Sequence, residues 1–159
     1  MPDNLDLKIL ASLQANARKK QTELARELGV AQSTMLERVR RLEDQGVIRG
    51  YRAIIDPEKL GLHIQAFIAV TLNHHDAHGI HEFEDGIRHL AEVRACYHTT
   101  GRFDYMLHVA ASDLKKLGEL VKTDIASLPS FGTSETLAVF SEIKPDEGWP
   151  IYSAGDSGL

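Results

Sequence analysis

The stretch GVAQSTMLERVRRLEDQG, residues 29–46, predicts a helix that is entered through a short turn. Its apolar residues Met35, Val39 and Leu42 recur every three or four positions, as on the buried face of a helix. The preceding segment QTELARELG, residues 21–29, repeats this pattern and ends on a glycine suited to the left-handed position that closes a helix. Two short helices joined by such a turn of about three residues are the signature of a helix-turn-helix motif.

A further helix precedes this pair, since Leu5, Ile9 and Leu13 share one helical face. Either Asp3 or Asn4 can cap its start. The sequence therefore predicts a three-helix module.

The start of the third helix has more than one interpretation. Ala31 stands at the natural N-cap position, but alanine offers no side-chain acceptor, and losing a cap typically costs about 0.5–2 kcal/mol. Ser33 is another possible cap. Thr34 followed by Glu37 forms a capping box, which would begin a shorter helix three residues later.

A helix of this kind fits the major groove of DNA, where side chains near its N-terminus reach the base edges. The residues predicted to be exposed for this purpose are Gln32, Ser33, Thr34, Glu37, Arg38 and Arg41. Arg40 falls nearer the flank and suits a phosphate. The alternative is a structural three-helix domain with a basic surface, because such patterns have many false positives.

The charge of the chain is divided unevenly along its 159 residues, whose formal sum is −5. Residues 1–52 hold ten lysines and arginines against seven aspartates and glutamates, a net charge of +3, and the remainder carries −8. The N-terminal module is thus mildly basic, which permits phosphate binding without requiring it.

The composition is that of an ordinary globular chain, with 43% hydrophobic and 26% charged residues. The longest apolar runs are too short for a membrane span, and the N-terminus lacks the pattern of a signal peptide. Cys96 is the single cysteine, so no internal disulfide is possible, and we expect a cytoplasmic location with no membrane partner.

Residues 47–55 are rich in β-branched and aromatic residues and predict a strand, followed by a helical turn begun by Asp56 and Pro57 and closed by Gly61. We therefore expect four segments. These are a helix-turn-helix domain at 1–46, a strand connector at 47–62, a second domain at 63–144 and a tail at 145–159. In the tail, Trp149 is interpreted as a packing anchor and SAGDSGL, residues 153–159, as disordered.

The second domain follows the order strand, helix, strand, strand, helix, strand, which describes a ferredoxin-like sandwich. The predicted fold class is α+β, with a winged-type helix-turn-helix domain and a ferredoxin-like βαββαβ domain. Its two helices cover only one face of the sheet. The other face would carry Phe67, Ala69, Cys96 and Ala138, or their opposite-parity neighbours, and we expect a partner subunit on it.

The histidines of NHHDAHGIH, residues 73–81, have spacings that a metal site can use: His74, His75, His78 and His81. We interpret them as a solvated helix start, because no cysteine or second ligand pair accompanies them. The sequence predicts no cofactor.

Several blocks together resemble the leucine-responsive/asparagine regulator (Lrp/AsnC) family of transcription factors. They are LDLKILASLQANAR, ELARELGV, LERVRRLEDQGVIRGYRAIIDPEKLG and TTGRFDY, and they span roughly residues 4–151. The resemblance implies a regulator whose N-terminal module binds double-stranded operator DNA. It also implies a C-terminal domain that senses a small effector, usually an amino acid, and homodimers that assemble into tetramers or octamers.

The resemblance implies an effector site between subunits, near the turn Gly101-Arg102-Phe103-Asp104. Thr99 and Thr100 precede the turn, and Thr133, Ser134 and Thr136 would add polar contacts across an interface. Asp104 can accept from an effector's ammonium or from amides of its own turn.

The chain departs from the family's pattern at two places. Ala31-Gln32 replaces a common Ser-Pro at the start of the recognition helix. Arg102 replaces a common acidic residue, so a cation there would favour a carboxylate in the effector, and leucine is not carried over as the ligand.

A competing hypothesis is an enzyme similar to the sirohaem decarboxylases, which share this architecture. The motif CYH, residues 96–98, echoes them faintly, and a histidine can do acid–base work. Their Trp-Pro-Tyr-type segment is absent at the position where TTGRFDY stands. No nucleophile elbow, phosphate loop or pair of carboxylates appears elsewhere in the sequence, so we expect no enzymatic activity.

Overall fold

The computed structural model describes residues 1–152, and the tail segment 153–159 lies outside the described residues. The chain forms two compact units. One contains residues 1–54 and 144–152, and the other contains residues 55–143. Among the described residues, no helix combines the length and the apolar character needed to cross a bilayer.

The first unit is built on the three predicted helices: α1 at Asn4–Ala15, α2 at Gln21–Leu28 and α3 at Gln32–Asp44. Their apolar stripes meet in one core. The buried core residues are Ile9, Leu13, Leu24, Ala25, Met35, Val39 and Leu42. The predicted face of each helix is therefore confirmed.

The helix ends show which local signals the chain uses. Asp3 caps α1, and it forms a reciprocal capping box with Asp6, each side chain accepting from the other's backbone amide. Gly29 closes α2 at φ +67°, a backbone angle that disfavours residues with a Cβ. α3 begins directly after Ala31 and has no side-chain cap, so neither Ser33 nor Thr34 starts it.

The strand predicted over residues 47–55 is wrong. Val47 and Ile48 donate their amides to Leu42 O, at 2.9 and 3.0 Å, and the chain then runs without secondary structure to residue 56. The β-branched residues here find no neighbouring strand among the described residues, and Ile54 is 97% exposed. The helical turn that follows is confirmed at Glu58–Leu60, with Gly61 left-handed at φ +75°.

The second unit is the predicted ferredoxin-like βαββαβ sandwich. Its elements in order are β1 at Ile64–Leu72, α4 at Ala77–Arg88, β2 at Val93–His98, β3 at Tyr105–Ala111, α5 at Leu114–Glu119 with a π-helical continuation at Leu120–Ile125, and β4 at Phe131–Ala138. The sheet order is β2-β3-β1-β4, and every pair is antiparallel.

One face of this sheet packs on the helices around Ile68, Val70, Tyr105, Phe83 and Leu120. Leu114, the first residue of α5, is 68% exposed and does not join this core.

The opposite face carries exposed Phe67, Tyr97 and Leu137, and we call it the open face. Cys96 and Ala138 do not belong to it, because they pair with Leu107 and Ala66 of the buried side. The adjacent residues Tyr97 and Leu137 lie on the open face instead.

The segment after Lys144 returns to α1. Gln14 Nε2 donates to Trp149 O at 2.7 Å, and Trp149 N donates to Gln14 Oε1 at 3.0 Å. The indole ring of Trp149 is 83% exposed, so its backbone, and not its ring, anchors the tail.

Candidate functional site

The outward face of α3 is polar. Ser33, Glu37 and Arg40 are exposed and lie opposite the buried stripe, since their spacings of four and three residues place them on one face. Gln32 is exposed at the first position of the helix, and Thr34 is half-buried.

Two arginines of α3 turn instead toward α1, where they hold a buried carboxylate. Asp6 is 1% exposed. Arg38 contacts its Oδ1 at 3.0 Å, and Arg41 contacts its Oδ1 and Oδ2 at 2.9 and 2.8 Å. Arg38 also pairs with Asp3. We call Asp3, Asp6, Arg38 and Arg41 the acid–arginine cluster.

The cluster changes the protonation of its members. The hydrogen bond from Arg38 lowers the pKa of Asp3 from 3.8 to about 2, with help from the Asp6 amide. The same bonds to Asp3 and Asp6 raise the pKa of Arg38. Each charge therefore stabilises the ionised form of its partner.

The three arginines of α3 differ in their contacts. Arg38 and Arg41, predicted to be exposed for DNA, both bond to α1 carboxylates, and their side chains are 24% and 46% exposed. Arg40, placed near the flank, is 80% exposed and lies 4.0 Å from Asp44. A signal existed in the sequence: Asp6 falls in the apolar series with Ile9 and Leu13, where a charge requires a partner.

The second candidate region is the turn between β2 and β3. Gly101 has φ +113°, a positive backbone angle that favours glycine. Thr99 N donates to Asp104 O at 2.8 Å, and Thr99 Oγ1 donates to Phe103 O at 2.9 Å. Asp104 N donates to Val70 O at 2.9 Å, so the turn is tied to β1. Thr100 is exposed before it.

The Asp104 carboxylate does not bond the amides of its own turn, which was one of the two roles considered from the sequence. It accepts Leu72 N at 2.7 Å and lies 3.1 Å from His75 Nε2, outside its own turn. The Leu72 amide is the largest cause that lowers the pKa of Asp104, and His75 adds to it. Asp104 therefore fastens the turn to the end of β1.

Arg102 is also engaged within the chain. It pairs with Glu135 of β4 and stands 4.4 Å from the centroid of the Phe103 ring. Its positive charge is compensated at the position where we expected it to face an effector.

The polar residues of β4 do not act as one group. Thr133 pairs with Thr71, and Glu135 pairs with Ala69, so both lie on the open face. Ser134 and Thr136 alternate to the helix-covered side. The structure thus brings Thr133 and Glu135 to the side of Arg102 and separates Ser134 and Thr136 from it.

The histidines of residues 73–81 form separate contacts. His75 meets Asp104, and His78 lies 3.5 Å from Glu82. Within residues 1–152, no group of three or more His, Cys, Asp or Glu side chains has the geometry of a metal site.

The CYH motif lies on β2, beside α4. Tyr105 donates to Glu84 at 2.8 Å, and His98 stacks on Tyr105 with ring centroids 4.7 Å apart. Desolvation, together with the Glu84 carboxylate, raises the pKa of Cys96 to about 11. The thiol is therefore protonated at neutral pH and is a poor nucleophile.

Comparison with known proteins identifies both units. Residues 2–49 match the winged helix-turn-helix DNA-binding family, and residues 65–149 match the Lrp/AsnC ligand binding domain. The chain belongs to the Lrp/AsnC family. This is a family of transcriptional regulators and not of enzymes, and nothing in the comparisons favours the decarboxylase alternative.

Among Lrp/AsnC proteins, the chain is 35% identical to the proline dehydrogenase transcriptional activator of Rhizobium radiobacter, over 89% of this chain and 91% of that one. It is 35% identical to the leucine-responsive regulatory protein of Haemophilus influenzae, over 89% and 86%. A transcriptional regulator of Neisseria meningitidis, solved in complex with L-Met, superposes with a TM-score of 0.89 at 31% identity, over 94% and 97%. These similarities confirm the helix-turn-helix and ligand-binding architecture.

Proposed function

We propose that this Lrp/AsnC regulator binds operator DNA through the outer face of α3 and adjusts that binding to an amino-acid effector. The observation that carries the proposal is the exposed polar face of α3, presented by a unit with a net basic sequence. A helix with such a face fits the major groove.

The start of α3 supports this orientation toward DNA. Neither Lys20, before α2, nor Ala31, before α3, caps its helix with a side chain. The first amides of both helices are therefore left for other acceptors, and backbone phosphates are acceptors that helix N-termini accommodate well.

We propose the turn at Thr99–Asp104, with Thr133 near it, as one wall of the effector site. The L-Met complex of the Neisseria regulator supports an amino acid as the ligand class. Because Arg102 is paired with Glu135, we assign recognition of the effector's carboxylate to amides of the glycine turn, which suit an anion. The ammonium would meet groups of a second subunit.

The open face supports a homodimer. Phe67, Tyr97 and Leu137 expose apolar surface on it, and covering such a patch is favourable by the hydrophobic effect. We propose a homodimer through this face and further assembly to a tetramer or octamer. A cytoplasmic location follows from access to the chromosome.

The test begins with the full chain and a random-sequence DNA library. Selection should enrich a defined site, and affinity for that site should fall steeply with salt concentration, as phosphate contacts require. A thermal-shift screen of the twenty amino acids should then show stabilisation by one or a few of them. No enrichment would refute DNA reading, and no thermal shift would refute the amino-acid ligand class.

A further inference from the structure

We infer that Gln32, Ser33 and Glu37 read the bases, and that Arg38 and Arg41 are positioning residues that do not touch the DNA bases. Arg40 contacts a phosphate. This inference rests on the proposed DNA-binding function and specifies which chemistry of the operator α3 recognises.

The first argument is the commitment of the two guanidinium groups. Arg41 spans both oxygens of Asp6, and Arg38 bridges Asp3 and Asp6. A guanidinium reads guanine through a pair of parallel donors, the same fork that it presents to a carboxylate. Here each arginine makes its carboxylate contacts through one terminal nitrogen, Nη1 of Arg38 and Nη2 of Arg41. While these contacts last, that nitrogen is engaged, so the paired Nη1 and Nη2 donors are not both free for a base.

The second argument is the consequence of withdrawal. Asp6 lies in the first turn of α1 with its side chain 2% exposed, so water has little access to replace the arginines. Moving Arg38 and Arg41 into a groove would leave this buried carboxylate without an arginine partner, and a buried charge that loses its ionic partners is strongly unfavourable. Base contacts would have to overcome this loss at every binding event.

The third argument is direction. The buried stripe of Met35, Val39 and Leu42 faces the core. Arg38 and Arg41, three residues apart, share the flank that faces α1. The surface opposite the core belongs to other side chains, among them Ser33 and Glu37, both exposed.

The exposed set defines a chemistry of recognition. A glutamine pairs with the N6 and N7 edge of adenine, a glutamate accepts from N4 of cytosine, and a serine contacts either kind of edge. We therefore expect the operator to carry adenine and cytosine at positions contacted by Gln32 and Glu37. Arg40 lies about two turns from the start of α3. We place it at the DNA backbone.

The experiment compares base-preference profiles. The full chain selects its site from a random library, and affinities are then measured for all single-base variants of that site. The proteins are the wild type, Gln32→Ala, Glu37→Gln, Arg40→Ala, Arg38→Lys and Arg41→Lys. The lysine variants keep the charge beside Asp6 but lose the guanidinium fork, and a melting curve confirms that each variant is folded.

We expect Glu37→Gln to lower the preference for cytosine at one position about tenfold, and Gln32→Ala to do the same for adenine at another. Arg40→Ala should weaken all sites alike and reduce the salt slope by about 1. Arg38→Lys and Arg41→Lys should leave the profile unchanged while lowering the melting temperature.

Loss of guanine preference at one position in Arg38→Lys or Arg41→Lys would overturn the inference, as would unchanged profiles in Gln32→Ala and Glu37→Gln. Both results presuppose a selected site. Failure of the wild type to select any site would instead refute the proposed function, so the two failures are distinguishable.

Discussion

Arg41 donates to both carboxylate oxygens of Asp6, at 2.9 and 2.8 Å, and so joins the recognition helix to the first helix of the chain. The carboxylate is buried, whereas the arginine reaches solvent along its flank. The orientation of α3 therefore depends on a residue 35 positions earlier in the sequence.

Replacing Asp6 should destabilise the helix-turn-helix unit. Asp6→Asn removes the charge that three arginine hydrogen bonds share, and we expect a loss of about 1.5–3 kcal/mol in the free energy of unfolding. Chemical denaturation followed by circular dichroism measures this loss. The matched control is Asp44→Asn, which removes an exposed carboxylate 4.0 Å from Arg40 and should change stability little. Equal losses in both variants would contradict the buried role of Asp6.

Asp3 should add a stabilising term that disappears in acid. Its folded pKa of about 2 lies below the ordinary 3.8, so the ionised form is favoured by folding. The contribution is complete above pH about 4 and is lost as the pH falls toward 2. Melting temperatures of the wild type and Asp3→Asn between pH 5 and 2 should differ most at the upper end of this range and converge at the lower end. A constant difference would disprove the linkage.

The single thiol should react slowly in the folded protein. A pKa of about 11 for Cys96 leaves on the order of 100-fold less thiolate at neutral pH than an ordinary cysteine has. Alkylation by iodoacetamide at pH 7.5 should therefore be much slower in buffer than in denaturant, as followed by mass spectrometry. Equal rates would show that desolvation and the Glu84 carboxylate do not lower the reactivity of the Cys96 thiol.

We expect replacement of Asp104 to weaken effector binding more than it lowers the stability of the fold. Asp104→Ala removes the acceptor of Leu72 N, and we expect a loss of about 0.5–1.5 kcal/mol together with a looser turn. Asp104→Asn keeps an oxygen for that amide and should restore most of the stability. The thermal shift produced by the effector should fall in the alanine variant, and an unchanged shift would remove the turn from the effector site.

Dimerisation through the open face can be tested by introducing a single charged residue there. Leu137→Arg places a cation on exposed apolar surface, so the fold should persist while the oligomer dissociates to smaller species. The control is Leu114→Arg, because Leu114 is an exposed leucine outside this face, 68% exposed against 50% for Leu137. Sedimentation velocity distinguishes them, and identical profiles would contradict dimerisation through the open face.

The helices and the order of the sandwich were predictable because each follows a local rule of periodicity and capping. The features that the sequence did not predict correctly depend on contacts with residues distant in sequence. Residues 47–55 have strand composition but no strand beside them. The start of β4 at Phe131 is set by its pairing with Leu72, which lies about sixty residues earlier. The alternation of residues in β2 did not decide which face of the sheet Cys96 occupies. In the structure β2 has a register shift between Val93 and Ala95, and Cys96 lies on the helix-covered face.

The candidate sites were less predictable than the fold. Periodicity indicated the outer face of α3, but only the three-dimensional structure places Asp6 beside Arg41. In the same way, Gly101 indicated a turn from the sequence alone. The pairings of Asp104 with Leu72 and of Arg102 with Glu135 were not predictable in this way, because they join residues more than thirty positions apart. Contacts between such distant residues leave no pattern in the neighbouring sequence from which they could be predicted.

The paired hydrogen bonds between Gln14 and Trp149 join residues of the first unit that are 135 positions apart. During synthesis on the ribosome, the three helices emerge first and can assemble early, whereas this contact must wait until Trp149 has emerged. The helix-turn-helix unit thus reaches its final form only after the entire sensing domain has been made.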